Sequence, residues 1–295
     1  MKSISQKAYA KINLAIDLLG KREDNYNEVK MIMQTIDIFD NIFLEKIDNG
    51  ILIECDAGKI PNDERNIAYK AAKHMFEQYN IKEGLKIKID KNIPVAAGLG
   101  GGSADAACVI TGINKLFDLK LSDNELMKIG EKIGADVPYC ICKNTALATG
   151  IGEKLEKLPN IGEINIILIK PKFGVSTAEV YREFDYCMPK KRPDFDILID
   201  AIENRKIDVL ANNMVNVLET VTERKNPVIA EIKSKLVKNG AMGSMMSGSG
   251  PSIFAIFNDE NTAKNAYRKM KDNNTYECYL TKTICFNSVG EVPRL

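Results

Sequence analysis

The sequence predicts an α+β protein of two domains, on three observations. At 295 residues the chain exceeds the usual size of one domain, so two domains of about 150 residues each is the natural division. The first half reads as strands followed by helices, with a turn signal that favours an antiparallel or mixed sheet. A hinge at Pro159 to Gly162 precedes a second set of strands and helices, which puts the domains at 1–162 and 163–295.

The elements follow in chain order. Ala10, Ile12, Leu14, Ile16 and Leu18 alternate with Lys11, Asn13, Ala15 and Asp17. This predicts a strand with one apolar and one polar face, and it places Lys11 and Asn13 together on the polar one. Apolar runs at 42–47 and 51–55 flank Asp48-Asn49-Gly50, a hairpin signal because Asn-Gly tolerates positive φ. Leu85, Ile87 and Ile89 alternate with Lys86, Lys88 and Asp90, the pattern of a half-buried strand. Helices are expected at 66–79, 103–117 and 122–133; Ser122 and Glu125 form a capping box for the last, and Gly134 closes it. Beyond the hinge come a strand at 164–169, a helix capped by Ser176 and Glu179, and helical segments near 194–204, 206–224 and 227–238. A second glycine-rich loop at 240–251, a strand at 253–257, a helix at 260–272 and a strand at 276–286 complete the chain. No internal repeat is present.

Residues 94–107 carry the chemistry. Gly98, Gly100, Gly101 and Gly102 lie between the strand ending at Asp90 and a helix whose Ala106, Val109, Ile110, Ile113, Leu116 and Phe117 recur at helical spacing. Glycines let backbone approach a ligand closely, and the unpaired N–H groups of a first helical turn favour an anion. The segment therefore reads as a phosphate cradle. A Walker loop is excluded, since Gly102-Ser103-Ala104 stands where Gly-Lys-Ser/Thr is required. A dinucleotide fingerprint fares little better: Ser103 occupies its third glycine position and the preceding strand is not a continuous apolar run. What survives is a nucleotide triphosphate loop of another kind. Ser103 would offer its hydroxyl to a phosphate or magnesium ion, a role compatible with simple N-capping.

Composition sets outer limits. Forty-one Lys plus Arg against 40 Asp plus Glu give a net charge of +1, so no nucleic-acid or anionic-membrane surface is expected and anion binding must be local. No apolar run approaches the roughly 18 residues of a membrane span. Seven cysteines at 55, 108, 140, 142, 187, 278 and 285 form no paired framework, which fits a reducing cytoplasm. Cys140 and Cys142 are too close for the usual zinc knuckle and His74 is the single histidine, so no transition-metal site is expected. Nothing in the pattern separates monomer from homodimer.

Three separated motifs converge: Ala10-Lys-Ile-Asn-Leu14, the loop at 94–107 and Ser247-Gly-Ser-Gly-Pro251. In order and spacing they resemble the GHMP kinases over nearly the whole chain. Gly134-Ala-Asp-Val-Pro138 and Gly174-Val-Ser-Thr-Ala-Glu-Val-Tyr181 are most similar to the branch acting on 4-diphosphocytidyl-2-C-methyl-D-erythritol, in the non-mevalonate route to isoprenoids. The resemblance implies an N-terminal domain like the second domain of ribosomal protein S5, a ferredoxin-like C-terminal domain, and an active site in the cleft between them. It implies ATP and Mg2+ as cofactors and a small-molecule acceptor, with γ-phosphate transfer to the substrate's 2-hydroxyl. Asp136 and Lys11 match the family's catalytic pair. A carboxylate that takes the hydroxyl proton and a cation that steadies the growing negative charge suit an alcohol nucleophile. By the same resemblance Asn13 would touch substrate. Asn66 and Ile67 would lie by adenine, with Lys91 to Pro94 framing that pocket, and Ala97, Gly98, Leu99, Gly100, Gly101, Gly102 and Ser103 would hold the phosphates. Tyr26 and Tyr181 would sandwich the cytosine. The family's Asp-Gly-Tyr-His at the cytosine loop is here Asp24-Asn25-Tyr26-Asn27. Asn27 retains a donor and an acceptor in place of the imidazole, and Asn25 tolerates positive φ. That departure motivates one alternative, a kinase for another small alcohol such as homoserine or a mevalonate derivative; a second, of another class, is a nucleotide-sensing protein without catalysis, against which intact Lys11 and Asp136 argue.

Overall fold

The computed structural model describes residues 1–58, 60–271 and 275–287. The alternation at 10–18 is the centre of a longer strand, β1 (Ser3–Lys21), hydrogen-bonded to an equally long neighbour, β2 (Asn27–Ile47). Between them Asn25 takes φ +67°, so the turn survives the loss of glycine. From Ala10 to Leu18 every residue of β1 is buried. The polar face carrying Lys11, Asn13 and Asp17 is therefore internal rather than solvated, which requires each of those groups to find a partner.

The described chain forms two compact units, one of residues 1–10, 38–94 and 100–142, the other of 11–37, 95–99 and the described residues from 143 onward. β1 and β2 each give one segment to either unit, and residue 162 falls inside the second. In the first unit β3 (Ile51–Cys55) runs parallel to β4 (Gly84–Asp90), which is antiparallel to the far part of β2. The expected hairpin across residues 48–50 is thus not formed. Gly50 does turn, at φ +75°, but β4 takes the place beside β2: Leu85 N–H donates to the Gly50 carbonyl at 2.8 Å. Leu85, Ile87 and Ile89 are buried, as the alternation predicts. Helices α1 (Ile67–Gln78), α2 (Gly101–Leu116), α3 (Asp123–Glu131) and α4 (Val137–Cys142) follow, α1 and α4 both packing on α2. The Ser122–Glu125 capping box on α3 is present with both of its hydrogen bonds.

In the second unit β5 (Thr145–Thr149) pairs antiparallel with the near part of β2 and with β6 (Lys154–Lys157). A separate antiparallel sheet has the order β11-β7-β10-β9, built from β7 (Asn165–Pro171), β9 (Gly243–Met246), β10 (Ile253–Phe257) and β11 (Tyr276–Lys282). The apolar runs Ile166–Ile169 and Ile253–Phe257 are almost wholly buried and form its core. The helices are α5 (Thr177–Glu183), α6 (Phe195–Glu203), α7 (Ile207–Asn213), α8 (Glu219–Lys225), α9 (Val228–Lys238) and α10 (Glu260–Lys271).

Two boundaries in this unit differ from expectation. The helix expected over 206–224 is split into α7 and α8 by β8 (Val215–Asn216), which pairs parallel with Ala15 and Ile16 of β1. The strand expected over 276–286 ends at Lys282, because Thr283 and Ile284 leave the sheet and donate to the Ile164 and Thr35 carbonyls, each at 3.0 Å. The helix expected over 260–272 is present from Glu260 to Lys271, and residue 272 lies outside the described residues. No described helix is long and apolar enough to cross a membrane.

Candidate active site

The glycine cradle follows from its backbone. Gly98 and Gly100 have φ +76° and +68°, the left-handed region that glycine enters without steric cost. Gly100 caps α2 with no side-chain acceptor, so the helix begins at Gly101, two residues before the sequence pattern placed it. Its first N–H groups carry no side-chain cap. Ser103, expected to open the helix, is instead its third residue and half-buried. Ala104 N–H closes the first turn on the Gly100 carbonyl at 2.8 Å.

Within the first unit, Ile67 joins the nucleotide-side candidates. A Cβ added to Gly102 would meet its Cγ2 at 3.3 Å, and one added to Gly134 would meet its Cδ1 at 3.4 Å. The start of α1, the start of α2 and the turn two residues before Asp136 therefore converge. Asp136 accepts the Cys140 N–H on its carbonyl at 3.0 Å, which gives it the backbone role of an N-cap to α4. Asn66 is committed to local structure: its Oδ1 caps α1 through Ala68 N–H at 2.9 Å and its Nδ2 donates to the Pro61 carbonyl at 3.0 Å. Lys91, expected to frame the adenine pocket beside Pro94, turns inward. Its ammonium, on a side chain 5% exposed, pairs with Asp40 and, at 2.8 Å, with Asp105.

The second unit gathers the rest. Lys11 Nζ donates to Asn13 Oδ1 at 2.9 Å, both side chains buried; the Asn13 amide donates on to Met31 Sδ at 3.5 Å. Lys11 also gives its N–H to the Leu99 carbonyl at 3.0 Å, which fixes the strand against the glycine loop. The second loop closes on the first. Ser247 Oγ donates to the Gly98 carbonyl at 3.0 Å, and a Cβ on Gly98 would lie 2.2 Å from the Ser247 carbonyl oxygen. Ser252 N–H reaches the Ala97 carbonyl at 3.3 Å. The two glycine-rich loops are thus held in direct backbone contact.

At the turn between β1 and β2, Tyr26 is 61% exposed, while Arg22 and the Tyr26 N–H both bond the Asp24 carboxylate. That anchoring holds the Asp24 carboxyl below its usual value, chiefly through the Arg22 guanidinium. Asn27 Oδ1 accepts from the Tyr186 hydroxyl at 2.5 Å. Tyr181 lies in α5, half-buried.

Sequence reasoning missed the supports. Buried Asn216 donates to the carbonyls of Met246 and Gly248 at 2.9 and 2.8 Å, and Thr177 and Ser249 hydroxyls bond at 2.8 Å. A lone amide inside the apolar run 214–218 was the available signal for Asn216. Among the described residues no cluster of three or more His, Cys, Asp or Glu could hold a metal ion.

Comparison with known proteins shows the family. Residues 66–144 match the family model described as GHMP kinases N terminal domain, and residues 198–275 match GHMP kinases C terminal. The chain is 55% identical over 284 residues to a 4-diphosphocytidyl-2-C-methyl-D-erythritol kinase of Acetivibrio thermocellus, covering 96% of this chain and all of the relative. It is 49% identical to one of Clostridium perfringens, covering 97% of this chain and all of the relative. A crystal structure of 4-(cytidine 5'-diphospho)-2C-methyl-D-erythritol kinase superposes with TM-score 0.81 at 26% identity, covering 95% of this chain and 99% of that one. A homoserine kinase from Cytophaga hutchinsonii shares the fold, with TM-score 0.77 at 21% identity over 96% and 95% of the two chains.

Proposed function

The chain belongs to the GHMP kinases, and from that membership we infer that it phosphorylates the 2-hydroxyl of 4-diphosphocytidyl-2-C-methyl-D-erythritol, in the non-mevalonate route to isoprenoids. The observation that carries this reading is the similarity itself: the Acetivibrio thermocellus relative of that name is 55% identical across 96% of the chain. GHMP kinases take their phosphate from ATP. The cradle suits it, since the first turn of α2 has no side-chain cap and its N–H groups favour an anion. When bound, ATP supplies the phosphoryl group, and magnesium at the Ser103 hydroxyl offsets triphosphate charge.

The chain's own groups supply the rest. Asp136 accepts the proton of the attacking hydroxyl, whose own pKa lies far above neutral. Lys11, held by Asn13, steadies the negative charge that grows on the reacting oxygens. Ile67 and Pro94 border the adenine. The amides of Gly98 through Ser103 align the phosphates. Tyr26 and Tyr181 stack the cytosine, worth roughly 1–3 kcal/mol per aromatic face and tolerant of base identity; Asn27 supplies the selective hydrogen bonds. We place the family's N-terminal and C-terminal domains at 1–162 and 163–295, and the protein in the cytoplasm as a monomer or homodimer.

The substitution at Asn27 favours a second reading, a kinase for another small alcohol such as homoserine or a mevalonate derivative. A coupled ADP-release assay separates the two. Turnover should require the cytidylylated methylerythritol, and preference for homoserine or mevalonate would reassign the acceptor.

A further inference from the structure

Lys91 and Asp105 have no part in the chemistry above, yet with Asp40 they form a buried ionic cluster at the stems of the cradle. Asp40, fully buried on β2, accepts the N–H groups of Asn92 and Ile93 on Oδ1 at 2.6 and 2.8 Å, and the Lys91 ammonium on Oδ2. The strand-side stem of the loop is thereby pinned to the sheet. The same ammonium donates to Asp105 Oδ2 at 2.8 Å, and Asp105 is the fifth residue of α2. The helix-side stem is pinned to the same charge. Between these stems the fit is close: a Cβ on Gly101 would lie 3.0 Å from Ile93 Cγ2 and 3.5 Å from Lys91 Nζ.

Two carboxylates against one ammonium is an expensive arrangement for mere packing. Asp105 Oδ1 is buried without a hydrogen-bond partner, and burial pushes the Asp105 carboxyl well above its ordinary value while Lys91 pulls the other way. An apolar side chain would fill this place at less cost, so a use for the polar one is to be sought. The cluster spans 51 residues from Asp40 to Lys91 and 14 from Lys91 to Asp105, and what it joins is the entry and exit of the phosphate loop.

We propose that Lys91, clamped between Asp40 and Asp105, is a positioning residue for nucleotide binding that sets the spacing of the two cradle stems and so the aim of the first α2 amides. Neither Lys91 nor Asp105 contacts ATP in this account. The clamp acts through the backbone, where a displacement of about 1 Å is enough to cost orders of magnitude in a site built on alignment. The inference rests on the reading of residues 94–103 as the nucleotide loop.

The test is ATP binding by calorimetry without acceptor, followed by steady-state kinetics, in Asp105→Leu, Asp105→Ala and Asp105→Asn. Leu and Ala remove the acceptor of the Lys91 bond but leave the one-to-one Lys91–Asp40 pair, whereas Asn keeps a carbonyl for Lys91. Affinity for ATP should fall about tenfold or more in the Leu and Ala variants and return to within about threefold of wild type in Asn. The acceptor KM and the kcat at saturating ATP should stay within about twofold. Unchanged ATP affinity in Asp105→Leu overturns the proposal, as does a joint shift of kcat and both KM values. Failure of both Leu and Ala to fold also overturns it, because the cluster is then structural. A wild type that binds ATP but ignores the cytidylylated acceptor refutes the acceptor assignment alone and leaves the clamp testable.

Discussion

Lys11 shows how far one residue can be read from sequence. Period-two alternation put Lys11 and Asn13 on a common strand face, and they are hydrogen-bonded there at 2.9 Å. The bond orients the ammonium without neutralising it, as an amide carries no charge. Lys11→Met should lower kcat by about 100-fold or more, measured by ADP release, with the fold intact by circular dichroism; a variant within about twofold of wild type would remove Lys11 from the chemistry. The Asp40–Lys91–Asp105 cluster was not legible. Asp40 and Asp105 lie in largely apolar or small-residue stretches with no partner within helical or strand reach in sequence, and only the tertiary fold brings them to Lys91.

At the scale of elements, local chemistry was legible where a signal lies within a few residues. The Ser122 capping box is an example: Ser122→Ala should cost about 1 kcal/mol of stability in a denaturant titration and leave turnover unchanged. Pairing between distant strands was not legible. The Asn-Gly turn was read correctly at Gly50, yet β4 rather than β3 is the partner of β2, because turn chemistry fixes a reversal and not which strand fills the neighbouring edge. The split of the helix expected over 206–224 has the same origin, since Asn216 is drawn to β1 and to the Gly248 loop. The cradle glycines, by contrast, were strongly marked. Gly98→Ala would force a Cβ to within 2.2 Å of the Ser247 carbonyl oxygen at φ +76°. It should raise the KM for ATP about tenfold or more while thermal melting stays cooperative; normal ATP kinetics would mean that the two loops can part without consequence.

For the whole molecule, β1 and β2 each contribute a segment to both compact units, and a strand divided in this way leaves no compositional mark in the sequence. Carboxyls whose pKa differs between folded and unfolded states set the dependence of global stability on pH. Asp105 has a raised pKa in the fold because burial disfavours its ionised form. Its contribution is most favourable below the unfolded value of about 3.9 and is lost as pH rises through the folded value. Asp63 has the opposite sign: Arg65 holds its carboxyl at about 2, so its contribution is present above the unfolded value and lost as pH falls towards 2. Asp105→Asn should therefore melt no lower than wild type at neutral pH, any gain closing on acidification towards about pH 4. A lower midpoint at neutral pH would show that the ionised carboxylate stabilises the fold.

The most direct test of the kinase assignment is turnover by Asp136→Asn. With saturating ATP and cytidylylated methylerythritol, ADP release should fall by about 100-fold to 10,000-fold, while ATP affinity by calorimetry stays at the wild-type value. An Asp136→Asn enzyme that releases ADP within about tenfold of the wild-type rate would show that no proton passes to this carboxylate, and the proposed chemistry would be wrong.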